Sequence, residues 1–444
     1  MTDPASTGLP KRWVWLLVCL AVGLHASYLI GLAGNRLALW PFDSHQFIEG
    51  RGADFYVLPE AGWDFLHGEN MYVHDNATRR EPYPLTFRYV PFFGYTLGVV
   101  LALIPPPANY FFWIAVNELL LIANLLLTWR RAPTSWARVG AVWIWLAPFP
   151  IFLEQWLGQF SILMGSLLFW TALSLVERPR SWAADVAWTG SSLLKNYSIL
   201  MVPLWIRLRR WRGIALCIGM LIVTSVPYFL IYPEGWALFR EHGTSGRLAV
   251  GSYGYDRAGE DGLPMLYWGC QGLQTALQAL VNAAGLGWTE IAGIPIGLLF
   301  IAAVSGLLIA LPLVLTLRRD TDTIALFCLW SMSFFILYRD FWEHHYVLLL
   351  PVLALAMLYL KIPWQGLVVA GALIAFPTPW RVIGFPRGHA LLEAWGLVET
   401  TRICYFLIKP AGGILLYGLL LDAASKSVPI LAQERPANKI GGDA

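Results

Sequence analysis

The stretch WAADVAWTGSSLLKNYSILMVPLWIRLRRWR, residues 182–212, decides how the rest of the chain is laid out. Two apolar runs, 182–194 and 198–206, flank Lys195, and Arg207, Arg209, Arg210 and Arg212 close the stretch. Read as one helix, it crosses a bilayer. Read as two short helices turning near Lys195, it enters and leaves on the same side. Lys and Arg concentrate in short cytoplasmic loops, so the basic residues bear on the choice. Arg130–Arg131, Arg178, Arg180, the 207–212 cluster, Arg318–Arg319, Lys361 and Lys426 all flank apolar runs. They share one side with Lys11–Arg12 on two conditions. The 182–206 stretch must turn at Lys195, and the run 89–104, which ends in Pro105-Pro106-Pro107, must lie on the membrane surface. In the alternative, 89–104 crosses, 182–206 is one helix, and everything after 207 is unchanged.

The adopted layout is an all-α polytopic membrane protein with both termini cytoplasmic and about 12 spans of the length a bilayer requires. Apolar runs place them near 13–34, 108–129, 137–153, 160–176, 182–194, 198–206, 213–232, 292–317, 322–338, 346–360, 364–377 and 403–422. Residues 1–430 read as one transmembrane domain. Within it, 35–107 is a first extracytoplasmic loop with juxtamembrane helices and 233–290 a second large one. The polar tail 431–444 reads as a disordered cytoplasmic segment.

Composition agrees. The 444 residues are 57% hydrophobic and 13% charged, with mean hydropathy +0.57, against about a quarter charged in soluble domains. The run Trp13–Gly34 has no obvious small-residue cleavage site and is followed by many equally apolar runs, so it reads as a retained first helix. A net charge of +3, spread along the chain, gives no case for nucleic acid. Cys19, Cys217, Cys270, Cys328 and Cys404 show no CxxC spacing, which argues against a metal site or disulfide framework.

The unusual chemistry gathers in the expected outer segments. Residues 35–88 hold eight acids against five arginines. Asp54 should sit just above the membrane, at the start of an amphipathic surface helix marked by Phe55, Leu58, Phe65 and Leu66. Gly62 would allow close packing there, and Gly68 would stop the helix. On the residues alone, Asp54 is either a helix cap or a catalytic base. Gly158-Gln159-Phe160-Ser161 is a polar turn between apolar runs. Lys195, at membrane depth, is a functional candidate by default; it either partners a phosphate or snorkels to the interface. In Trp342-Glu343-His344-His345-Tyr346 the two histidines would point about 100° apart on a helix. They suit an anionic headgroup better than a shared metal, and an interfacial aromatic belt is the other reading. Arg381 in the outer segment 378–402 runs against the positive-inside bias; it suits either a lipid phosphate or a neutral salt-bridged loop.

These pieces together resemble glycosyltransferase family 87 (DUF2029). Asp54-Phe55, Ala61-Gly62, Leu66, Gly68 and Tyr72 are similar to its first-loop pattern, and Tyr89-Val90-Pro91 to its Tyr-Pro-Pro step. Gly158-Gln159 resembles its Gly-Gln turn, with Phe160-Ser161 where Val-Asn is common. Leu194-Lys195, Pro203 and Arg209-Arg210-Trp211-Arg212 resemble its lysine segment and basic loop. Trp342-Glu343-His344-His345-Tyr346 with Leu349-Leu350-Pro351 resembles its Trp-Asp-His-His block. The order of the matches, from 54 to 351, is more specific than any one of them.

The resemblance implies a GT-C fold in a bacterial cytoplasmic membrane, with the active site facing outward. It implies transfer of a sugar, mannose, from a polyprenyl-phosphate donor to a hydroxyl of a glycolipid or glycan acceptor, with inversion. Asp54 takes the position of the general base. Lys195, His344, His345 and Arg381 are expected to bind the donor phosphate, and Gln159, Trp342, Glu343, Tyr72 and Asp64 the sugar or acceptor. Neither metal nor other cofactor is expected, and the chain is expected to act as a monomer in the lipid bilayer. Arabinofuranosyl transfer on the same fold, a membrane glycan ligase and a lipid-linked sugar transporter are the alternatives.

Overall fold

The computed structural model describes residues 10–34, 51–73, 82, 86–240, 270–287, 289–291, 293–318, 320–338, 341–377, 390 and 393–426. Among them, six helices are long and apolar enough to cross a membrane: Lys11–Ala33, Ala108–Arg131, Ser135–Leu157, Trp211–Ile231, Ile296–Leu317 and Ile403–Lys426. Five shorter apolar helices accompany them: Pro91–Ala102, Ser161–Glu177, Thr323–Leu337, Glu343–Tyr359 and Trp364–Ala375. The elements that build the site are α1 (Lys11–Ala33), α2 (Val57–Leu66), α3 (Pro91–Ala102), α4 (Ala108–Arg131), α5 (Ser135–Leu146), α6 (Phe149–Leu157), α7 (Ser161–Glu177), α8 (Ala183–Leu194), α9 (Val202–Arg207) and α10 (Trp211–Ile231).

The 182–207 stretch is a hairpin. Lys195 is extended (φ −140°, ψ 125°) and ends α8. A 3-10 turn, Asn196–Met201, then leads into α9. Trp188 and Trp205 stack with centroids 4.5 Å apart, and Trp188 Nε1 donates to the Ser198 carbonyl (2.8 Å). At the open end, Arg210 grips Asp185 with two hydrogen bonds of 2.7 and 2.9 Å. Both limbs therefore begin and end beside the basic cluster, as the two-helix reading requires. Arg131 and Glu177 also pair at that end. Helix α7 runs from there to Ser161, a length of about 25 Å at 1.5 Å per residue.

The α3 helix is about 18 Å long, short of a hydrocarbon core of about 30 Å. It packs closely along α2. A Cβ on Gly62 would meet the Gly98 carbonyl carbon at 2.1 Å, and one on Gly98 would meet the Leu58 oxygen at 2.7 Å. Two helices can approach this closely only if both crossing residues are glycine. The expected apolar face of α2 is corrected by this packing. Leu58, Ala61 and Gly62 are buried, but Phe65 and Leu66 are 40% and 47% exposed, because the small residues carry the contact. Beyond α2 the chain is pinned to α10: Tyr228 Oη donates to Asn70 Oδ1 (2.9 Å) and Tyr232 Oη to the Gly68 carbonyl (2.6 Å).

The expected single helix over 137–153 is broken into α5 and α6. Pro148 cannot donate a backbone hydrogen bond and disrupts the turn before it. Pro150 has no N–H for the Leu146 carbonyl, and the Ile151 N–H turns to the Pro148 carbonyl (3.0 Å), so the carbonyls of Leu146 and Ala147 are left without helix donors. Helix α1 supplies both missing donors: His25 Nδ1 lies 2.9 Å from the Leu146 oxygen, and Tyr28 Oη donates to the Ala147 oxygen (2.8 Å). The other face of His25 meets Glu118 of α4 at 2.9 Å. Glu118 in turn accepts from the Gln155 side chain. This buried chain ties α1, α4 and α6 together. Replacing Tyr28 by Phe strands a buried carbonyl, so Tyr28→Phe should cost about 1–3 kcal/mol, read as a lower thermal midpoint in detergent; an unchanged midpoint would show that the hydroxyl is not needed at the break.

Candidate functional site

Helix α6 ends at Gly158, whose φ of +68° is left-handed and favours glycine. The reversal is closed by the Gly158 N–H to the Gln155 carbonyl (3.0 Å) and the Gln159 N–H to the Glu154 carbonyl (3.0 Å). The last carbonyls of α6 are taken by the first loop: Gly52 N–H donates to Trp156 (2.7 Å) and Phe55 N–H to Leu157 (3.1 Å). The turn at 51–56 is thereby seated on the end of α6, with Phe55 buried against Tyr110 and Phe160. Gly158 also leaves room for this, since a Cβ there would meet the Phe55 Cβ at 2.4 Å.

This seating brings together residues more than a hundred positions apart. Gln159 Nε2 donates to Asp54 Oδ2 (2.7 Å), while Gln159 Oε1 accepts from Lys195 Nζ (3.1 Å). Lys195 also donates to Ser161 Oγ (3.0 Å), and its Nζ lies 3.5 Å from His345 Nε2. The amide of Gln159 is a bridge with one orientation: oxygen towards lysine, nitrogen towards aspartate. Asp54 is half-buried and is not the cap of α2, whose N-cap is Tyr56 with no side-chain bond. Of the two readings left open by the residues, the cap is therefore set aside.

The histidines sit on a 3-10 turn, Glu343–Leu349. Trp342 N–H donates to His345 Nδ1 (3.1 Å). A backbone N–H can only donate, so Nδ1 is the acceptor and the proton of the neutral ring is on Nε2. That N–H and the Lys195 ammonium thus face each other as two donors. His345 is the histidine directed at Lys195. His344, also buried, lies beside it with the rings tilted by 55° and centroids 4.2 Å apart, and its Nε2 has no hydrogen-bond partner among the described residues. The turn is held from behind by the Gln271 N–H to the Phe341 carbonyl (2.8 Å) and Tyr346 Oη to the Gln271 carbonyl (2.7 Å).

The side chains of the other expected site residues make different contacts. Glu343 is 2% exposed and pairs with Lys409 at 3.2 Å, and Lys409 also donates to the carbonyls of Ile374 (3.2 Å) and Phe376. Glu343 is therefore a structural ion partner. Tyr72 is buried among Phe87, Tyr228, Phe229 and Phe239, and its hydroxyl donates to the Tyr89 carbonyl (2.7 Å). Trp342 is 37% exposed beside the histidine turn. Asp64 lies on α2 near Glu60 of the same helix and Glu69 just beyond its end, outside the hydrogen-bonded cluster of Asp54. Arg381 lies outside the described residues.

One residue of the cluster was not anticipated. Glu154, wholly buried on α6, accepts at Oε1 from the backbone N–H groups of Ser161 and Ile162 (3.2 Å to the latter). It caps α7, a task that the intervening N-cap residue, Phe160, has no side-chain acceptor to perform. The available signal was an acid inside an otherwise apolar run, four residues before Gly158.

Two outcomes follow from this geometry. Gly158→Ala meets both a left-handed backbone and the Phe55 Cβ, and should destabilise the chain by about 2–4 kcal/mol; circular-dichroism melting would show it, and a native midpoint would contradict the seating. Burial, then Glu60 and Glu69, pushes the Asp64 carboxyl from 3.8 up to about 7. The folded value exceeds the unfolded one, so the contribution is complete below about pH 4 and is lost as pH rises through about 7. Asp64→Asn should then raise the thermal midpoint relative to the native chain at about pH 8 and match it near pH 4. An equal effect at both pH values would rule out the titration.

Among solved structures, the chain is similar to ArnT from Cupriavidus metallidurans bound to undecaprenyl phosphate, at 15% identity and a TM-score of 0.41, covering 93% of this chain and 77% of that one. No curated protein matches it. The family model of glycosyltransferase family 87 matches residues 87–338, more than half of the chain, including Gly158-Gln159 and Lys195. The chain belongs to glycosyltransferase family 87.

Proposed function

We propose that this glycosyltransferase has a GT-C fold and moves a sugar, mannose, from a polyprenyl-phosphate donor to a hydroxyl of a glycolipid or glycan acceptor. The transfer takes place at the extracytoplasmic face of a bacterial cytoplasmic membrane. The observation that carries the reading is the pair of N–H donors, Lys195 Nζ and His345 Nε2, facing each other 3.5 Å apart and linked through Gln159 to Asp54. The His345 N–H and the lysine N–H not given to Gln159 or Ser161 converge, and two converging donors suit an anionic oxygen such as the phosphate of a lipid-linked sugar.

The reaction divides among these groups. Asp54 accepts the proton of the acceptor hydroxyl as that oxygen attacks the anomeric carbon. The bond from the anomeric carbon to the phosphate oxygen breaks, and polyprenyl phosphate leaves with the electron pair and one more negative charge. Lys195 and His345 meet that charge. A phosphate is already a weak base, so it needs charge stabilisation more than a proton. Attack from the side opposite the phosphate inverts the anomeric centre. The basic residues support this sidedness. Arg131, Arg207 and Arg210 gather at the end of α4, α7 and α8 remote from Ser161 and Lys195, and the positive-inside rule assigns that end to the cytoplasm.

Membranes carrying the chain, given radiolabelled polyprenyl-phosphate mannose and a lipid extract of the host, should form labelled glycolipid. Asp54→Asn should abolish it, and Lys195→Met should slow it about 10²-fold or more. Full transfer by Asp54→Asn would refute the assignment of the base. Label seen only with a polyprenyl-phosphate arabinofuranose donor would keep the mechanism and replace the sugar.

A further inference from the structure

Lys195 is almost entirely buried, yet each hydrogen bond it makes is to a neutral oxygen, those of Gln159 and Ser161. A buried ammonium needs a counter-charge. Two carboxylates lie near it: Glu154, which accepts from the N–H of the same Ser161 whose hydroxyl accepts from the lysine, and Asp54. Asp54 is linked to it through the Gln159 amide. In the proposed reaction Asp54 takes a proton and its charge disappears at the moment the phosphate gains one. Resting on that reading, we propose that Glu154 is the fixed counter-charge of Lys195, holding it as a cation in place while Asp54 is neutralised. Glu154 is thus a positioning residue for the transfer.

Burial works against a charge on Glu154, and its polar contacts work for one. Oε1 accepts the first two N–H groups of α7, at the positive end of that helix. Oε2 is buried and has no hydrogen-bond partner among the described residues, so the nearby lysine is the charge that can offset its burial. The same residue holds the turn that carries both of lysine's neutral partners, through the Gln159 N–H to its own carbonyl. A cap alone would be served by a neutral glutamine, whose amide oxygen can accept the same two N–H groups. Charge and shape can therefore be separated by Glu154→Gln.

The test is a cycle of four proteins in lipid nanodiscs: native, E154Q, K195M and the double variant. Thermal unfolding is measured without substrate, and initial rates are measured with polyprenyl-phosphate mannose. E154Q alone should melt roughly 3 °C or more below the native chain, whereas in the K195M background it should cause no further drop. Its kcat should fall about tenfold or more with the donor KM within about threefold, and the double variant should be no slower than K195M. A native rate and midpoint for E154Q would reduce Glu154 to a cap and overturn the proposal. So would losses from E154Q and K195M that simply add. Should E154Q fail to fold, recovery of folded protein in the double variant would support the pairing, and failure of both would overturn it. A coupled melting cycle in a chain that transfers no sugar would leave the pairing standing and sink the transferase reading; transfer without coupling would do the reverse.

Discussion

The carbonyl groups at the end of α6 belong to buried residues, where water cannot satisfy them, and the rest of the chain must. Residues from three separate regions do so. The first loop gives Gly52 and Phe55 N–H to Trp156 and Leu157, α4 gives the Tyr110 hydroxyl to Gln155 and the Trp113 indole to Gln159, and the Gly158 reversal supplies its own two N–H groups. Satisfying those oxygens places Asp54 beside Gln159. The cluster is thus a by-product of a hydrogen-bonding obligation, and its precision comes from backbone groups rather than from flexible side chains.

The sequence was most informative where a residue violated its surroundings. Lys195 interrupts an apolar run, and the chain does turn there. Gly158 stands at the only kind of position where its missing side chain matters twice. Gly62 marked a close approach, though its partner at Gly98 was not visible in the pattern. What stayed hidden was pairing across distance: nothing in the local sequence links Asp54 to Gln159, or Glu343 to Lys409. Glu154 was overlooked because a lone acid near the end of an apolar helix reads as a loop edge. Phe65 and Leu66 misled for the opposite reason. Their helical spacing is real, but at a membrane boundary an apolar stripe has lipid as well as protein to face.

Two buried lysines illustrate different solutions to one cost. Removing an ammonium from water is expensive, and attraction to a carboxylate offsets this only when the remaining protons are also bonded. Lys409 meets those terms directly, with Glu343 and two helix-end carbonyls, and so fixes the turn bearing the histidines to the last helix. Lys195 meets them at a remove, through neutral oxygens, with its acids nearby rather than in hand. The first arrangement is closed. The second leaves room on the lysine for another oxygen, as a binding group requires and a structural bolt does not.

The break at Pro148 bears on how the chain is made. The 135–157 segment enters the bilayer after α1 has been synthesised, and it carries two carbonyls that its own backbone cannot bond. Alone in lipid they would cost several kcal/mol. His25 and Tyr28 of α1 remove that cost. The first helix therefore completes the hydrogen bonding of the later one, and the kinked segment is fully bonded when the two lie side by side.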